Sequence, residues 1–266
     1  MIAKIALRSF GVVWVGILVG LPIVTVAYRA LEPGFSSAWD SVFTQAGTHA
    51  LVLTVEETLV AVALNTVFGV GIALVLARHR FRGAGILELI IDLPLAISPV
   101  VIGLALTLFY SKTEGWIGPW LSARGIAVIF SFPGIVLASA FVSLPYVARE
   151  ILPVLQELGT EQEQAAETLG AGPVRVFTRI TLPAIRWGLA YGVLLTTTRI
   201  LGEYGAVSVV SGNISGETQT FTQYVGDEFT NLDLAGAFAG ALLLALVSIA
   251  VLGLLSISRQ KERQTR

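Results

Sequence analysis

The 266-residue sequence has no cysteine, one methionine, two histidines and only 13% charged residues. Without cysteine there is no disulfide, iron–sulfur cluster or thiol nucleophile. His49 and His79 stand too far apart in sequence for metal-ligand spacing. A formal net charge of −1 lacks the basic excess that a nucleic-acid partner requires. No G-x-x-x-x-G-K-[ST] phosphate loop is present; the nearest sequence, Ser111-Lys112-Thr113, has no glycine before its lysine. G-x-S-x-G is also missing, and Asp92 has no second aspartate to form an acid pair. These absences exclude an ATPase acting alone and leave no catalytic constellation for a hydrolase.

What the chain has is apolar length. It is 55% hydrophobic, with a mean hydropathy of +0.79, and an ordinary globular domain carries roughly 25% charged residues. A bilayer core takes about 20 consecutive apolar residues as helix. Six stretches qualify, at about 10–28, 57–77, 86–110, 127–147, 187–210 and 234–256, giving an all-α membrane protein with residues 1–266 as one transmembrane domain. The first run is too long for a signal-peptide h-region, and no clean A-x-A site follows it. Pro94 and Pro99 interrupt the third, predicting a kink that is either structural or near a pathway. Gly16-x-x-x-Gly20 and Gly236-x-x-x-Gly240 have the spacing for close helix approach.

Basic residues fall on one side of this arrangement. Lys4, Arg8, Arg78, Arg80, Arg82, Arg149, Arg175, Arg179, Arg186, Arg259, Lys261, Arg263 and Arg266 share it, against Arg29, Lys112 and Arg124 on the other. The positive-inside rule then predicts that both termini are cytoplasmic.

The longest cytoplasmic stretch on that orientation is 148–186. Thr160 and Glu163 have capping-box spacing, Ala165, Ala166 and Leu169 supply a small apolar strip, and Gly170 stops the helix. Pro173 starts a second helix, with Val174, Phe177 and Ile180 on one face, and Leu182-Pro183 is expected to end it. This helix–glycine–helix either lies on lipid headgroups or is a lever gripped by a cytoplasmic partner.

In the fifth stretch Arg199 lies about 18 Å from Trp187 at roughly 1.5 Å per residue, near mid-membrane. An arginine there costs about 2.5–3.5 kcal/mol to insert, so it must face protein or water. Glu203 is four residues on, at helical pairing distance. The two either line an anion route or pair to fix packing.

The spacing Ala165-Ala166-x3-Gly170-x9-Ile180-x-Leu182-Pro183 resembles the cytoplasmic E-A-A-x3-G-x9-I-x-L-P motif of bacterial ABC importer permeases, with Gln164 where the family has glutamate. The resemblance implies a six-helix type I importer permease of the bacterial inner membrane. It further implies that Gln164, Ala165, Ala166, Gly170, Ile180, Leu182 and Pro183 couple to the ATPase, with Glu163 or Glu167 supplying the carboxylate. RILGEYGAVSVVSGNISGET (199–218), with DLPLAISPVVIGL (92–104), is similar to the sulfate/thiosulfate branch of the sulfate/molybdate permeases. Two ATPase subunits carrying ATP and magnesium, a second sulfate-type permease and an extracytoplasmic sulfate-binding protein are the implied partners. No cofactor is expected on this chain. A molybdate or tungstate permease and a secondary anion transporter are the alternatives, the latter resting on Asp92, Arg199 and Glu203 as coupling charges.

Overall fold

The computed structural model describes the backbone of residues 2–265 and the side chains of 9–254. The terminal bases Lys4, Arg8, Arg259, Lys261, Arg263 and Arg266 lie outside the described side chains. Among the described residues all regular structure is helical. In order the helices are α1 (Ile2–Leu31), α2 (Phe35–Val42), α3 (Gln45–Arg78), α4 (Ala84–Ala96), α5 (Pro99–Tyr110), α6 (Gly118–Ser122), α7 (Phe132–Leu158), α8 (Glu161–Thr168) and α9 (Pro173–Val176). A π turn (Phe177–Thr181) follows, then α10 (Leu182–Leu201), α11 (Gly205–Val210), α12 (Phe221–Thr230) and α13 (Leu234–Thr265).

Among the described residues, α1, α3, α7 and α13 are each long and apolar enough to cross a membrane, and α4 with α5 adds a fifth if the bent pair is one crossing. α10 is 20 residues long but carries Arg186, Arg199 and three consecutive threonines.

The bundle is packed on its small and polar residues. α3 buries Ala50, Leu53, Thr54, Glu57, Thr58, Ala61, Asn65, Gly69 and Ala73, a stripe at three- and four-residue steps that defines one helical face. Its opposite face leaves Val52, Val55, Leu59, Val67 and Phe68 exposed. Lipid solvates large apolar groups as well as protein does, so contact between membrane helices depends on close approach and hydrogen bonding. α7 occupies the centre, against α3 on one side and α10 on the other. A Cβ on Gly69 would sit 2.8 Å from Val147 Cβ, and one on Gly192 would sit 3.0 Å from Val147 Cα. Glycine there lets both neighbours close on Val147. The adjacent layer carries Asn65, whose amide donates to Ser143 Oγ (2.8 Å) and to the Ala140 carbonyl (3.0 Å).

Gly16 and Gly20 face open space, whereas a Cβ on Gly240 would meet Val225 Cγ2 at 2.6 Å. Only the second glycine motif therefore marks a close approach, between α12 and α13.

The third apolar stretch turns through 113° between α4 and α5, which is a break rather than the expected kink. Pro94 is accommodated inside α4. Pro99 opens α5 and Ser98 before it is extended, with φ −60° and ψ 135°, because proline disfavours the α conformation in its predecessor. The fifth stretch also breaks, at Gly202–Tyr204, where the sequence reading expects one span over 187–210. The two breaks meet: a Cβ on Gly205 would lie 3.1 Å from Pro99 Cβ, and one on Gly103 would lie 2.7 Å from the Ala206 carbonyl.

Candidate functional site

Two places gather the residues singled out in the sequence: the junction of the broken helices and the polar segment between α7 and α10.

At the junction, Arg199 Nη1 lies 2.5 Å from Glu203 Oε2, and Glu203 is 2% exposed. Glu203 Oε1 also accepts the backbone N–H of Ala206 (2.8 Å), and Thr222 Oγ1 donates to the Glu203 carbonyl (2.8 Å). The side chain thus satisfies a free N–H at the start of α11, giving the backbone a partner that competes with a continuous helix. Both carboxylate oxygens of Glu203 are committed within the chain. Asp92 is elsewhere, on α4, where Arg149 of α7 grips it with two contacts of 2.7 Å. Asp92 and Arg149 are both substantially exposed, as suits a tie at the bundle edge.

One buried acid has no counterpart in the sequence reading. Glu57 on α3 is 1% exposed and its Oε1 accepts from Ser139 Oγ of α7 at 3.5 Å. Its second oxygen has no hydrogen-bond partner. Its signal is the pair Glu56-Glu57 at the edge of the second apolar run, which looks like the end of a span. α3 instead begins at Gln45, so Glu57 lies well inside the helix.

The polar segment begins at Gly159, whose φ of +63° terminates α7, and it turns again at Gly170, φ +85°. Both values favour glycine, which alone has no Cβ to strain there. At Gly170 the Ala171 N–H reaches back to the Ala166 carbonyl (3.0 Å), and the Gly170 N–H reaches that of Glu167 (2.9 Å). These bonds satisfy the end of α8 in the manner of a glycine C-cap.

The expected capping box at Thr160 and Glu163 does not form. Thr160 makes no capping hydrogen bond; its Oγ1 accepts from Gln164 Nε2 at 3.1 Å. Glu163 turns inward: Thr181 Oγ1 donates to its Oε1 (2.7 Å), and Arg78 at the end of α3 contacts both its oxygens. Charge pairing across elements has displaced a weaker local bond. The reciprocal box is found instead at Thr220 and Gln223, at the start of α12.

The expected end of the second helix at Leu182-Pro183 is also corrected. α9, the π turn and α10 run on without interruption from Pro173 to Leu201. Pro183 has no N–H for the Arg179 carbonyl, and the wide turn just before α10 takes up that mismatch.

The outer surface of this segment is exposed. Gln164, Ala165, Glu167, Gly170 and Pro183 face outward, while Ala166, Ile180 and Leu182 are half-buried. Leu169 and Val174, on either side of the Gly170 turn, are 89% and 75% exposed. Two bare aliphatic side chains flank a fixed turn, backed by a helix pinned to the bundle. Such a surface suits a protein partner.

Residues 66–264 match a protein family described as the inner membrane component of binding-protein-dependent transport systems. The chain belongs to this family. As an inner membrane component it is a multi-pass protein of that membrane, which accounts for the apolar outer faces of α1, α3 and α13. It is 48% identical to the sulfate transport system permease protein CysW of Synechocystis sp., over 91% of this chain and 87% of that protein. It is 35% identical to the permease protein CysT of Escherichia coli K12, over 87% of this chain and 83% of that one. A bacterial ABC transporter involved in the import of the acidic polysaccharide alginate has the same fold. It superposes with a TM-score of 0.80 at 18% identity, covering 97% of this chain and 95% of that chain.

Proposed function

We propose that this chain is the permease subunit of an ATP-driven sulfate importer, forming the route through the membrane and coupling it to cytoplasmic ATPase subunits. The anion assignment rests on the named sulfate permeases it is similar to. The coupling assignment is carried by one observation: Leu169 and Val174 stand bare on either side of the Gly170 turn, on a segment whose inner side is fixed to α3. α1, α3, the α4–α5 pair, α7, α10 with α11, and α13 make six crossings, with both termini in the cytoplasm. A second, related permease chain completes the pathway. A binding protein delivers sulfate from outside, and two ATPase subunits sit beneath.

ATP and magnesium bind those ATPase subunits and not this chain. Closure of the ATPases draws the docked segments together and shifts the bundle between inward- and outward-open states, each stabilised by its own set of contacts. Ala165, Ala166, Gly170 and the outward residues beside them, Gln164 and Glu167, form the docked face, with Ile180, Leu182 and Pro183 behind it. Arg199 and Glu203 serve packing at the helix junction, since both oxygens of Glu203 are already used within the chain. Pro94 and Pro99 shape the α4–α5 wall beside it, and Asp92 ties α4 to Arg149 of α7 at the bundle edge.

Reconstituted vesicles test the reading. Sulfate uptake should require ATP, the ATPase subunits and the binding protein, and should ignore ion gradients. Gradient-driven uptake by this chain alone would overturn it. Leu169→Asp should strip the ATPase subunits from the purified complex, because it places a charge where an apolar pocket is expected. Normal recovery of the ATPases with that variant would remove the docking role of the turn.

A further inference from the structure

At the cytoplasmic base of the bundle one arginine meets the ends of three helices. Arg78 closes α3. Its Nη1 donates to the Leu155 carbonyl in the last turn of α7 (2.9 Å). That carbonyl is among the four that a helix end leaves without an internal partner, and a cation there also complements the helix dipole. Its Nη2 donates to Glu163 Oε1 in the first turn of α8 (3.1 Å). Arg78 Nε lies 2.8 Å from Glu163 Oε2, an ionic contact without hydrogen-bond alignment. Glu163 in turn accepts from Thr181 Oγ1, at the end of the π turn leading into α10 (2.7 Å). The two side chains are only 13% and 17% exposed, so water does little to screen them.

We infer that Arg78 and Glu163 form the positioning joint through which the docking segment moves the membrane helices: Glu163 faces inward as an anchor, and the ATPase meets the outward residues of α8 and the Gly170 turn. The reading rests on the docking role proposed above and deepens it. Without the joint, α8 is connected to the bundle through the turns at Gly159 and Gly170, where the chain changes direction at positive φ. A push on the outward face would then rotate α8 about its glycines and leave α3 and α7 where they are. With the joint, one rigid contact links α8 to the ends of α3 and α7 and, through Thr181, to the start of α10. Two-pronged arginine–carboxylate contacts fix orientation as well as distance, which a lever requires and a simple tether does not.

Arg78→Gln, Glu163→Gln and the double variant separate these roles in the full complex of permeases, ATPase subunits and binding protein. Each single variant should purify with its ATPase subunits. Each should hydrolyse ATP while moving about tenfold less sulfate per ATP, the scale set by losing a partly buried charge-assisted contact. The double variant should be no worse than Arg78→Gln alone, because both single variants remove the same contact and the Leu155 bond is lost with Arg78 in either case. Arg78→Lys should recover part of the loss, keeping the charge and one donor direction. Wild-type transport per ATP in the single variants would overturn the joint, and so would losses that multiply in the double variant. Loss of the ATPase subunits from either variant, with the permease intact, would also overturn it, by making the pair part of docking affinity. Leu169→Asp is the control: if it retains both ATPases and transport, the docking role has failed, whatever the pair does.

Discussion

The Arg199–Glu203 pair at the α10–α11 break and the Arg78–Glu163 pair at the base of the bundle use the same two side chains over similar distances. The first joins residues four apart in sequence across the end of α10, at a break where Glu203 also accepts the Ala206 N–H at the start of α11. The second joins residues 85 apart and three helix ends. A local pair organises the backbone beside it; a distant pair transmits position between elements. Removing the first should therefore cost stability, and removing the second should cost coupling with the fold largely kept.

The largest effect is expected at the local pair. Arg199→Ala leaves Glu203 buried at 2% exposure with no counter-charge. Stranding one member of a buried pair costs about 3–5 kcal/mol, and an unpaired charge within the membrane is costly in its own right. The variant should lose most of its folded yield, read as the monodisperse fraction in detergent and the midpoint of thermal unfolding. Adding Glu203→Gln should restore much of it, since the amide oxygen still accepts from the Ala206 N–H while the stranded charge is gone. An Arg199→Ala protein as stable as wild type would break the contrast between the two pairs.

A smaller effect belongs to Thr181, the third member of the joint at the base of the bundle. Thr181→Val keeps the branched shape and removes the O–H donated to Glu163. A hydrogen bond to a charged group contributes about 1.5–3 kcal/mol, but Arg78 remains to hold the carboxylate. Sulfate moved per ATP should fall by a few-fold, less than for Arg78→Gln, with the unfolding midpoint nearly unchanged. An equal fall in stability and no change in coupling would make Thr181 a packing residue of α10 only.

Legibility in the sequence follows the same divide between local and distant. The all-helical membrane class was readable because a run of apolar residues needs no partner to be recognised. Arg199 with Glu203 was readable as a pair because four residues is one helical step. Gly170 was readable as a turn because its neighbours set its backbone. Glu163 was misread because a local partner, Thr160, stood at capping distance, while the side chain it actually meets comes from the far end of α3. The reach of α3 beyond its apolar run was not legible for a related reason. An acid pair at the edge of an apolar run normally ends a span, but Glu57 lies buried against Ser139 with only one oxygen hydrogen-bonded, a placement set by helix packing rather than by neighbours in sequence. Of Pro94 and Pro99, only the second breaks its helix, and residue type alone does not separate them.

The smallest effect is expected at Gln164, where the family motif has glutamate. Gln164 is exposed, and its one described side-chain contact is the bond from Nε2 to Thr160 Oγ1. In Gln164→Glu the donor is lost, but the threonine hydroxyl can donate in its place, so the contact survives with its direction reversed. The added charge sits among Glu161, Glu163 and Glu167, a repulsion of a few tenths of a kcal/mol per exposed neighbour, offset by a similar gain near the start of α8. The net change in stability should fall within about 0.5 kcal/mol, and sulfate moved per ATP should stay within about twofold of wild type, a barrier difference of roughly 0.4 kcal/mol. That outcome would assign the inward carboxylate at 163 to the lever and leave position 164 free to be neutral. A several-fold gain in coupling would instead mean that the ATPase offers a cation to residue 164, and that this chain works without using it.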